Sequence, residues 1–407
     1  MTERSWPSPR TVLACGGLIL AISLGMRHGF GLFLQPISMD SGWGREVFAF
    51  AIALQNLVWG AAQPFTGMLA DRIGAGRVML GGAVLYVAGL VLMAQPQDAA
   101  GFVLSAGLLV GLGLSGTTFP IVFGAVSRAV APERRSLAMG VTMAVGSFGQ
   151  FVMLPGTFGL MEWLGWSGAL VALSALCALI LPLSFALLES GESKPSTSTP
   201  AGLTAGEALR EALGHGGFWL LSLGFFVCGF QVVFIAVHLP AFLADQGLPV
   251  SVATTVLALI GLVNVAGTYY AGLWGGRHSK PRLLVWIYLG RAAAIAFFVF
   301  LPITAWSAYV FGVTMGLFWL STVPLTNGLV ASLFGVRNMS MLAGIVFFSH
   351  QLGGFLGGWL GGLLYDRLGS YNAAWGLAIS LSLVAAVLNL PIREKPVARL
   401  RTAGAGT

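Results

Sequence analysis

The sequence predicts an all-α membrane protein in which twelve transmembrane helices form two six-helix bundles. Three observations lead to this prediction: long apolar runs, scarce charge, and a weak repeat of one half of the chain in the other. Of the 407 residues, 57% are hydrophobic and 9% are charged, and the mean hydropathy is +0.86. A soluble chain of this length needs a charged exterior, so this composition excludes an ordinary soluble domain.

The apolar runs have the length that a membrane requires. A helix needs about 20 residues to cross about 30 Å of hydrocarbon. Inside lipid every backbone group must be bonded within the protein, so helices are the natural interpretation. We predict about twelve spans on the basis of run length, at 12–34, 47–69, 78–94, 101–125, 137–157, 167–188, 218–239, 250–274, 283–301, 305–329, 339–364 and 371–390.

A polar stretch at 189–215 separates the first six spans from the last six. It is rich in Ser, Thr, Pro and acidic residues, a composition typical of a solvated linker, with a surface helix expected at 205–213. We therefore predict an N-terminal six-helix bundle at 1–190, a cytoplasmic linker at 191–216 and a C-terminal six-helix bundle at 217–407.

The basic residues predict the orientation. With the N-terminus inside, the inner segments contain about 17 Lys and Arg and the outer loops about 2. The positive-inside rule then places both termini in the cytoplasm of a multi-pass protein of the cell (inner) membrane. The net charge of +7 is dispersed over many segments. The expected partner is therefore the lipid bilayer, and no nucleic acid is expected.

Several function classes lack the residues that they need. Cys15, Cys177 and Cys228 all lie in predicted spans, without disulfide or metal-ligand spacing. The sequence has no Gly-Lys-Ser/Thr phosphate loop and no nucleophile–base cluster at one depth. We expect no metal, no cofactor, no enzymatic activity and a monomeric protein. The termini at 1–10 and 393–407 are expected to be too short for a signalling domain, which argues against a sensor.

One charged turn, at 67–77, is partly repeated in the second half. Gly67 and Gly272 are 205 residues apart, which is about half the chain. The repeat is incomplete, because Gly276 stands at the position that matches Asp71. A weak repeat of this length in a twelve-span protein predicts two bundles around a central cavity.

Three motifs carry a resemblance to a known family. The turn at 67–77 resembles the loop between spans two and three of the major facilitator superfamily. The arginine pair leading into span five at 134–140, and the Asp and Gly-Ser-Tyr turn at 366–371, are similar to its monocarboxylate-porter branch (monocarboxylate/oxalate-formate antiporter-like). The resemblance covers essentially the whole chain. It implies the major facilitator fold and alternating access, in which two bundles rock about a site near the bilayer midplane.

The resemblance also implies a gating role for Asp71, Arg72 and Arg77. Asp71 and Arg72 would join the bundle interface when the cavity opens outward and separate when it opens inward. A charged cluster that is desolvated in one state biases a two-state equilibrium, which supports this hypothesis on physical grounds. The alternative is a solvated turn that only anchors the topology.

Arg27 is a cation at membrane depth. It lies about 15 residues into the first span, or about 22 Å at helical rise, and that span contains no acid to pair with it. An uncompensated arginine that lines a cavity is a candidate to bind a carboxylate with two hydrogen bonds. The alternative is that Arg27 extends to the outer headgroups. His28 falls near the first-span lysine of the porter branch, and an alignment shifted by one places Arg27 there.

Span eight departs from the family pattern. The porter branch usually carries an Asp and an Arg four residues apart, where this sequence has Asn264 and Thr268. The loss of both charges together suggests that the pair acts as one unit. Anion binding would then depend on Arg27 and on neutral donors such as Asn264, Tyr269 and Tyr270.

Proton coupling needs a group that changes charge, and no Asp or Glu lies well inside a span. His350 is midway along span eleven beside Gln351, and it could carry a proton or donate a hydrogen bond to the substrate. A packing role is the alternative. His28 is the second proton-coupling candidate, His238 is expected at the membrane interface, and Arg291 in span nine is expected to be paired structurally or to extend to the inner surface.

The predicted function is therefore a secondary active transporter of a small organic anion, a monocarboxylate, with a co-transported proton. The proton cancels the charge of the anion, which otherwise costs about 2.3 kcal/mol per 100 mV to bring into a negative interior. The alternative is an exporter of amphipathic or neutral small molecules, favoured by the missing charge pair in span eight and by the aromatic interior.

Overall fold

The computed structural model describes residues 8–42, 45–95, 98–188 and 203–400. The described first half consists of helices joined by short turns. A 3-10 segment follows α1, a π-helical segment joins α5 to α6, and a second 3-10 turn precedes α8. The helices of this half are α1 (Pro9–Gly29), α2 (Leu34–Asp40), α3 (Arg45–Ile73), α4 (Ala75–Met93), α5 (Ala99–Phe102), α6 (Val110–Thr117), α7 (Phe119–Ala129), α8 (Arg135–Ala178) and α9 (Ile180–Phe185).

The second half begins with a short helix, α10, that precedes the first long apolar helix. The helices of this half are α10 (Ala205–Leu213), α11 (Gly216–Asp245), α12 (Val250–Gly275), α13 (Lys280–Phe300), α14 (Ala305–Phe318), α15 (Thr322–Phe334), α16 (Met339–Leu368) and α17 (Asn372–Asn389). The surface helix predicted at 205–213 is confirmed by α10. The rest of the predicted linker, 191–202, lies outside the described residues.

Helix α10 begins with a capping box. Thr204 accepts a hydrogen bond from the backbone N–H of Glu207 through its hydroxyl, and the Glu207 carboxylate accepts one from the backbone N–H of Thr204. The backbone and side-chain hydrogen bonds from Thr204 lower the pKa of Glu207. This cap satisfies two backbone donors that would otherwise be free at the helix start, so α10 forms outside the apolar bundles.

The apolar helices are long enough to cross a membrane. Ten helical stretches of the described chain meet this condition by length and hydropathy. One of them, Pro132–Phe185, contains the fifth predicted span and most of the sixth. Within it Gly165 has φ 69° and ψ 176°, a conformation that favours glycine and interrupts the helix. The second predicted span corresponds to α3, whose 29 residues give about 43 Å of helix. The predicted all-helical membrane fold is confirmed.

The two halves meet along two helix pairs, α3 with α16 and α8 with α12. The pairs are related by the sequence repeat. A Cβ on Gly67 would lie 2.3 Å from the backbone oxygen of Ser340, and a Cβ on Gly272 would lie 2.7 Å from that of Ser136. Glycine at both positions therefore allows the halves to approach closely, and the repeat seen in the sequence is a repeat of interface contacts.

Each half contains an interrupted helix at a matching position. In the first half, α6 ends at Thr117 and the backbone is extended at Thr118 (φ −112°, ψ −171°). The freed carbonyl of Ser115 accepts hydrogen bonds from Gln63 Nε2 at 2.8 Å and Thr66 Oγ1 at 3.1 Å. Neutral side chains therefore satisfy the backbone that the interruption exposes, as a membrane interior requires.

In the second half, an arginine donates hydrogen bonds to the backbone carbonyl groups that the helix interruption exposes. Arg291 is fully buried, and its Nη2 donates to the carbonyl oxygens of Phe318 at 2.7 Å and of Trp319 at 2.5 Å. Its Nη1 donates to Gln231 Oε1 at 3.2 Å, and the guanidinium lies 5.5 Å from the ring centroid of Tyr288. Of the two alternatives for Arg291, structural pairing is confirmed.

Candidate functional site

Arg27 turns toward α3. It lies in the last turn of α1, and its Nη2 donates to Asn56 Oδ1. Its guanidinium carbon is 5.0 Å from the ring centroid of Trp59. Its Nε is buried and has no hydrogen-bond partner among the described residues. No described carboxylate forms an ion pair with Arg27.

Trp59 is held in a fixed position beneath this guanidinium. Its indole N–H donates to Gln63 Oε1 and to Thr118 Oγ1, both at 3.0 Å. The indole also contacts Phe347 of α16, with ring centroids 4.9 Å apart. Trp59 and Phe347 thus form an aromatic surface beside Arg27. It is in contact with the interruption at Thr118 in the first half and includes α16 of the second half.

Gln351 and His350 belong to the same group of side chains. Gln351 Nε2 donates to the backbone oxygen of Asn56 at 3.2 Å, which joins the two halves next to Arg27. The His350 Nδ1 and the Gln351 Oε1 are 3.2 Å apart. The imidazole of His350 stacks on Phe347 and contacts Phe225, with centroids 5.5 and 4.8 Å away. The structure therefore brings Arg27, Gln351 and His350 together around Asn56 and the aromatic surface.

Asn264 lies at the other pair of facing helices. It is fully buried, its Nδ2 donates to Ser147 Oγ of α8 at 2.9 Å, and its Oδ1 accepts from the backbone N–H of Leu320 at 2.9 Å. In this conformation Asn264 joins the two halves. Tyr269 and Tyr270 are 40% and 48% exposed and pack on each other on the opposite, outer face of α12. The structure does not bring these three residues to the group around Arg27.

His28 is exposed. Arg27 is the adjacent residue of α1, so the two side chains point about 100° apart around the helix axis. His238 is 8% exposed, with Nε2 2.8 Å from the backbone oxygen of Gly358 and Nδ1 3.3 Å from the Tyr371 hydroxyl. Both ring nitrogens therefore contact groups inside the bundle, and the expected depth of His238 at the membrane interface stays a prediction.

Asp71 contacts both halves. Its Oδ1 is 3.1 Å from Arg128 Nη1 and accepts the backbone N–H of Ser340 at 3.3 Å, and its Oδ2 accepts the backbone N–H of Met341 at 2.9 Å. Ser340 and Met341 lie in the first turn of α16, where free N–H groups and the helix dipole favour an anion. Arg72 and Arg77 are exposed, and Arg77 Nη1 donates to the Ile73 carbonyl of its own turn.

Sequence reasoning named Asn56 only among several polar residues that could line a cavity and Trp59 only as a packing or interfacial residue, and it gave Arg128 no role at a site. Asn56 and Trp59 are three residues apart on one face of α3, a spacing that could have signalled a joint role at the depth of Arg27. Arg128 contributed only to the predicted orientation. Arg128 and its ion-pair partner Asp71 are 57 residues apart in the sequence, and no local sequence pattern predicts a contact between residues so far apart.

Comparisons with known proteins agree with the fold and with the motifs. The profile of the Major Facilitator Superfamily matches residues 13–358. Human monocarboxylate transporter 11 is 29% identical over 91% of this chain and 80% of its own length. The uncharacterised MFS-type transporter YhjX of Escherichia coli is 22% identical over 87% of this chain and 88% of its own length.

Among solved structures, the E. coli fucose:proton symporter FucP has the same fold. It superposes with a TM-score of 0.70 over 93% of this chain and 97% of its own, at 14% identity. A family profile that matches most of the chain agrees with the repeat, the interrupted helices and the paired interfaces. This chain belongs to the Major Facilitator Superfamily and is a multi-pass membrane transporter of that family.

Proposed function

We propose that this chain moves a small monocarboxylate across the membrane by alternating access, together with a proton. The observation that carries the proposal is the guanidinium of Arg27. Among the described residues it has no ion-pair partner and its buried Nε has no hydrogen-bond partner, and it lies beside the contact between the halves. A carboxylate offers two acceptor oxygens in the geometry that arginine binds best. Relatives named monocarboxylate transporters 11, 12 and 13 support this substrate class.

In the proposed complex, the carboxylate binds Arg27, and the apolar part of the substrate contacts the aromatic surface of Trp59 and Phe347. Gln351 and His350 lie close enough to this group to contact the substrate as the halves move. Asn264 would become available to bind the substrate only when α8 and α12 separate, because its amide is hydrogen-bonded to Ser147 and Leu320 in this conformation. In this conformation Tyr269, Tyr270 and His28 do not contact the group around Arg27.

The test is uptake of labelled monocarboxylates into proteoliposomes with an imposed pH gradient. Acid outside is expected to stimulate carboxylate entry, because the proton compensates the charge of the anion. Absence of any stimulation by the gradient would contradict proton coupling. Absence of carboxylate uptake under every gradient would contradict the substrate class.

We assign the proton-carrying role to His350, with His28 as the second candidate. Replacing His350 with glutamine keeps a hydrogen-bonding side chain but removes the titratable group. The expected result is that carboxylate exchange without a gradient persists while stimulation by acid outside is lost. The same change at His238, which packs inside the bundle, is the matched control and is expected to preserve stimulation. If His350→Gln retains full stimulation, the proton is carried elsewhere.

We further propose that Asp71 holds the halves closed at the predicted cytoplasmic side. Replacing Asp71 with asparagine removes the negative charge that pairs with Arg128 and accepts hydrogen bonds from the first turn of α16. Charge-assisted hydrogen bonds contribute about 1.5–3 kcal/mol, so the closed state is expected to lose at least about tenfold in population relative to the open one. Arg72 and Arg77 remain proposed gating residues that would act after the halves move.

Spin labels at positions 134 and 337, on the predicted cytoplasmic ends of the two halves, would measure this change as a distance distribution. Longer distances are expected in Asp71→Asn. Asp98 is the matched control, because its carboxylate also caps a helix, through the Gly101 N–H at 2.8 Å, but within one half. Identical distance distributions and identical transport in Asp71→Asn and the wild type would contradict the gating role.

The second candidate function is export of amphipathic or neutral small molecules. It is favoured by the neutral Asn264 and Thr268 in span eight and by the aromatic surface beside Arg27. It predicts counterflow of neutral aromatic compounds that carboxylates do not inhibit, whereas the first function predicts inhibition by carboxylates in proportion to their affinity.

A further inference from the structure

A cavity of about 700 Å³ opens at the predicted cytoplasmic end of the second half. It lies between the start of α13 and the chain from Asn389 to Lys395 that ends and follows α17. Three exposed basic side chains line it, Arg282 from α13 and Arg393 and Lys395 from the segment beyond α17. The fold brings them together from positions more than a hundred residues apart, so neither stretch of sequence forms this site alone.

The cavity wall carries a positive charge. Glu394 is the acid among its described lining residues, and Lys280 neutralises it. The Lys280 Nζ is 2.5 Å from Glu394 Oε1, and the Lys280 backbone N–H donates to Oε2 at 2.9 Å. Within the described chain no ion pair involves Arg282, Arg393 or Lys395. Three cations around one cavity favour an anionic ligand.

An apolar surface continues from the cavity along the outside of the bundle. Trp286, one helical turn from Arg282, is 69% exposed, and Leu390 is 65% exposed. Val387 and Leu383 extend this exposed stripe along α17, which packs against α13. In a membrane this surface contacts acyl chains, and tryptophan commonly lies at the level of the headgroups. Cations above an apolar groove fit an amphipathic anion better than a small soluble one.

A buried acceptor adds an independent indication of a ligand. Asn389 is 1% exposed and lines the cavity. Its Nδ2 donates to the Ala385 carbonyl at 2.8 Å, but its Oδ1 has no partner among the described residues. A buried acceptor without a hydrogen bond is destabilising. A ligand that presents a hydroxyl or ammonium group could supply the missing donor.

We propose that this cavity binds the phosphate headgroup of an anionic phospholipid. Arg282, Arg393 and Lys395 contact the phosphate, and an acyl chain lies along the groove between Trp286 and Leu390. Basic pockets between helices at the cytoplasmic side are suited to such headgroups. Phosphatidylglycerol combines the phosphate with hydroxyl groups that could donate a hydrogen bond to Asn389 Oδ1. The site is separate from the proposed carboxylate site and does not depend on which solute is transported.

The experiment uses the full-length protein in detergent, with bound lipid measured by native mass spectrometry. Phosphatidylglycerol is expected to bind at least about tenfold more tightly than phosphatidylcholine, because each basic residue near a membrane adds to the attraction of an anionic headgroup. Combining Arg282→Gln, Arg393→Gln and Lys395→Gln is expected to abolish this preference. The matched control combines Arg10→Gln, Arg134→Gln and Arg210→Gln, which removes equal charge from the same predicted face and is expected to retain it.

Two further measurements separate the possible sources of the phosphate. Trp286→Ala is expected to weaken phosphatidylglycerol binding, because the lipid loses part of its groove, and millimolar inorganic phosphate is expected not to displace the lipid. Displacement by inorganic phosphate at equal concentration would show that the ligand is the free ion and would overturn the lipid assignment. Equal binding of the two lipids by the wild type, or wild-type preference in the triple variant, would overturn the site itself.

Folding of each variant is checked by its thermal unfolding midpoint without added lipid. If the triple variant does not fold, the double variant Arg393→Gln, Lys395→Gln provides the same readout. Both of its residues lie beyond α17 and are exposed, so this variant is expected to fold and to lose most of the lipid preference. A double variant that keeps the full preference contradicts the proposal.

Discussion

Replacing Arg27 with alanine is expected to lower the efficiency of carboxylate uptake, kcat/KM, by about 100-fold or more. A bidentate contact consists of two charge-assisted hydrogen bonds of about 1.5–3 kcal/mol each, and each 1.4 kcal/mol corresponds to a factor of ten. Arg27→Lys keeps the charge but loses the planar fork, so an intermediate loss is expected. Initial rates in proteoliposomes, corrected for the amount of inserted protein, measure the effect.

Asn56 offers a sharper version of this experiment. Its Oδ1 accepts a hydrogen bond from Arg27, so Asn56→Asp places a carboxylate of nearly the same shape on the guanidinium. The resulting internal ion pair would compete with the substrate, and uptake is expected to fall nearly as far as in Arg27→Ala while the fold is retained. Arg210→Ala, at an exposed position of α10, is the control for the loss of a positive charge. Normal carboxylate uptake in both Arg27→Ala and Asn56→Asp would exclude Arg27 as the anion site.

Replacing Arg291 with methionine is expected to destabilise the protein more than it affects substrate recognition. The change leaves the carbonyl oxygens of Phe318 and Trp319 without their arginine donor at the interruption between α14 and α15. Each unsatisfied buried group costs about 1–3 kcal/mol, and the total stability of a folded protein is only about 5–15 kcal/mol. The midpoint of thermal unfolding is expected to fall by at least about 5 °C.

Fluorescence-detected thermal unfolding in detergent measures this shift. Arg291→Lys is expected to lose less stability, because an ammonium can still donate to a carbonyl oxygen, although it cannot also reach Gln231 in the same geometry. The matched control is Arg367→Met, which removes an exposed arginine from the last turn of α16. An unchanged midpoint in Arg291→Met would show that the interrupted helix does not need this side chain.

The membrane class and the repeat were predictable because they depend on features that are local or periodic. Apolar runs of membrane length have few alternatives to a spanning helix. The match between Gly67 and Gly272 predicted two bundles, and in the structure glycine at both positions allows the backbones of the two halves to approach. The structure places each of these glycines against the backbone oxygen of a serine in the other half, Ser340 and Ser136.

The candidate site was predictable only in part. The depth of Arg27 and the absence of an acid in its span identified it, and the position of His350 midway along span eleven identified that residue. The role of Asn56 could not be predicted, because one polar residue in a span is usually explained by an ordinary interhelical hydrogen bond. Tyr269 and Tyr270 follow Asn264 closely in sequence but face outward, because five or six residues along a helix lead to a different side.

The amino-acid sequence by itself determined that this chain spans a membrane, that its halves repeat, and that an arginine lies within a first span that contains no acid. These properties follow from composition, run length and spacing, which do not depend on how the helices pack. Only the tertiary structure decided the partner of each polar group. Arg27 faces Asn56 and Trp59, Asp71 binds the start of α16, and Arg291 satisfies an interrupted helix. Those partnerships depend on helix rotation and on contacts between distant segments, and in a medium without water each buried polar group must find such a partner.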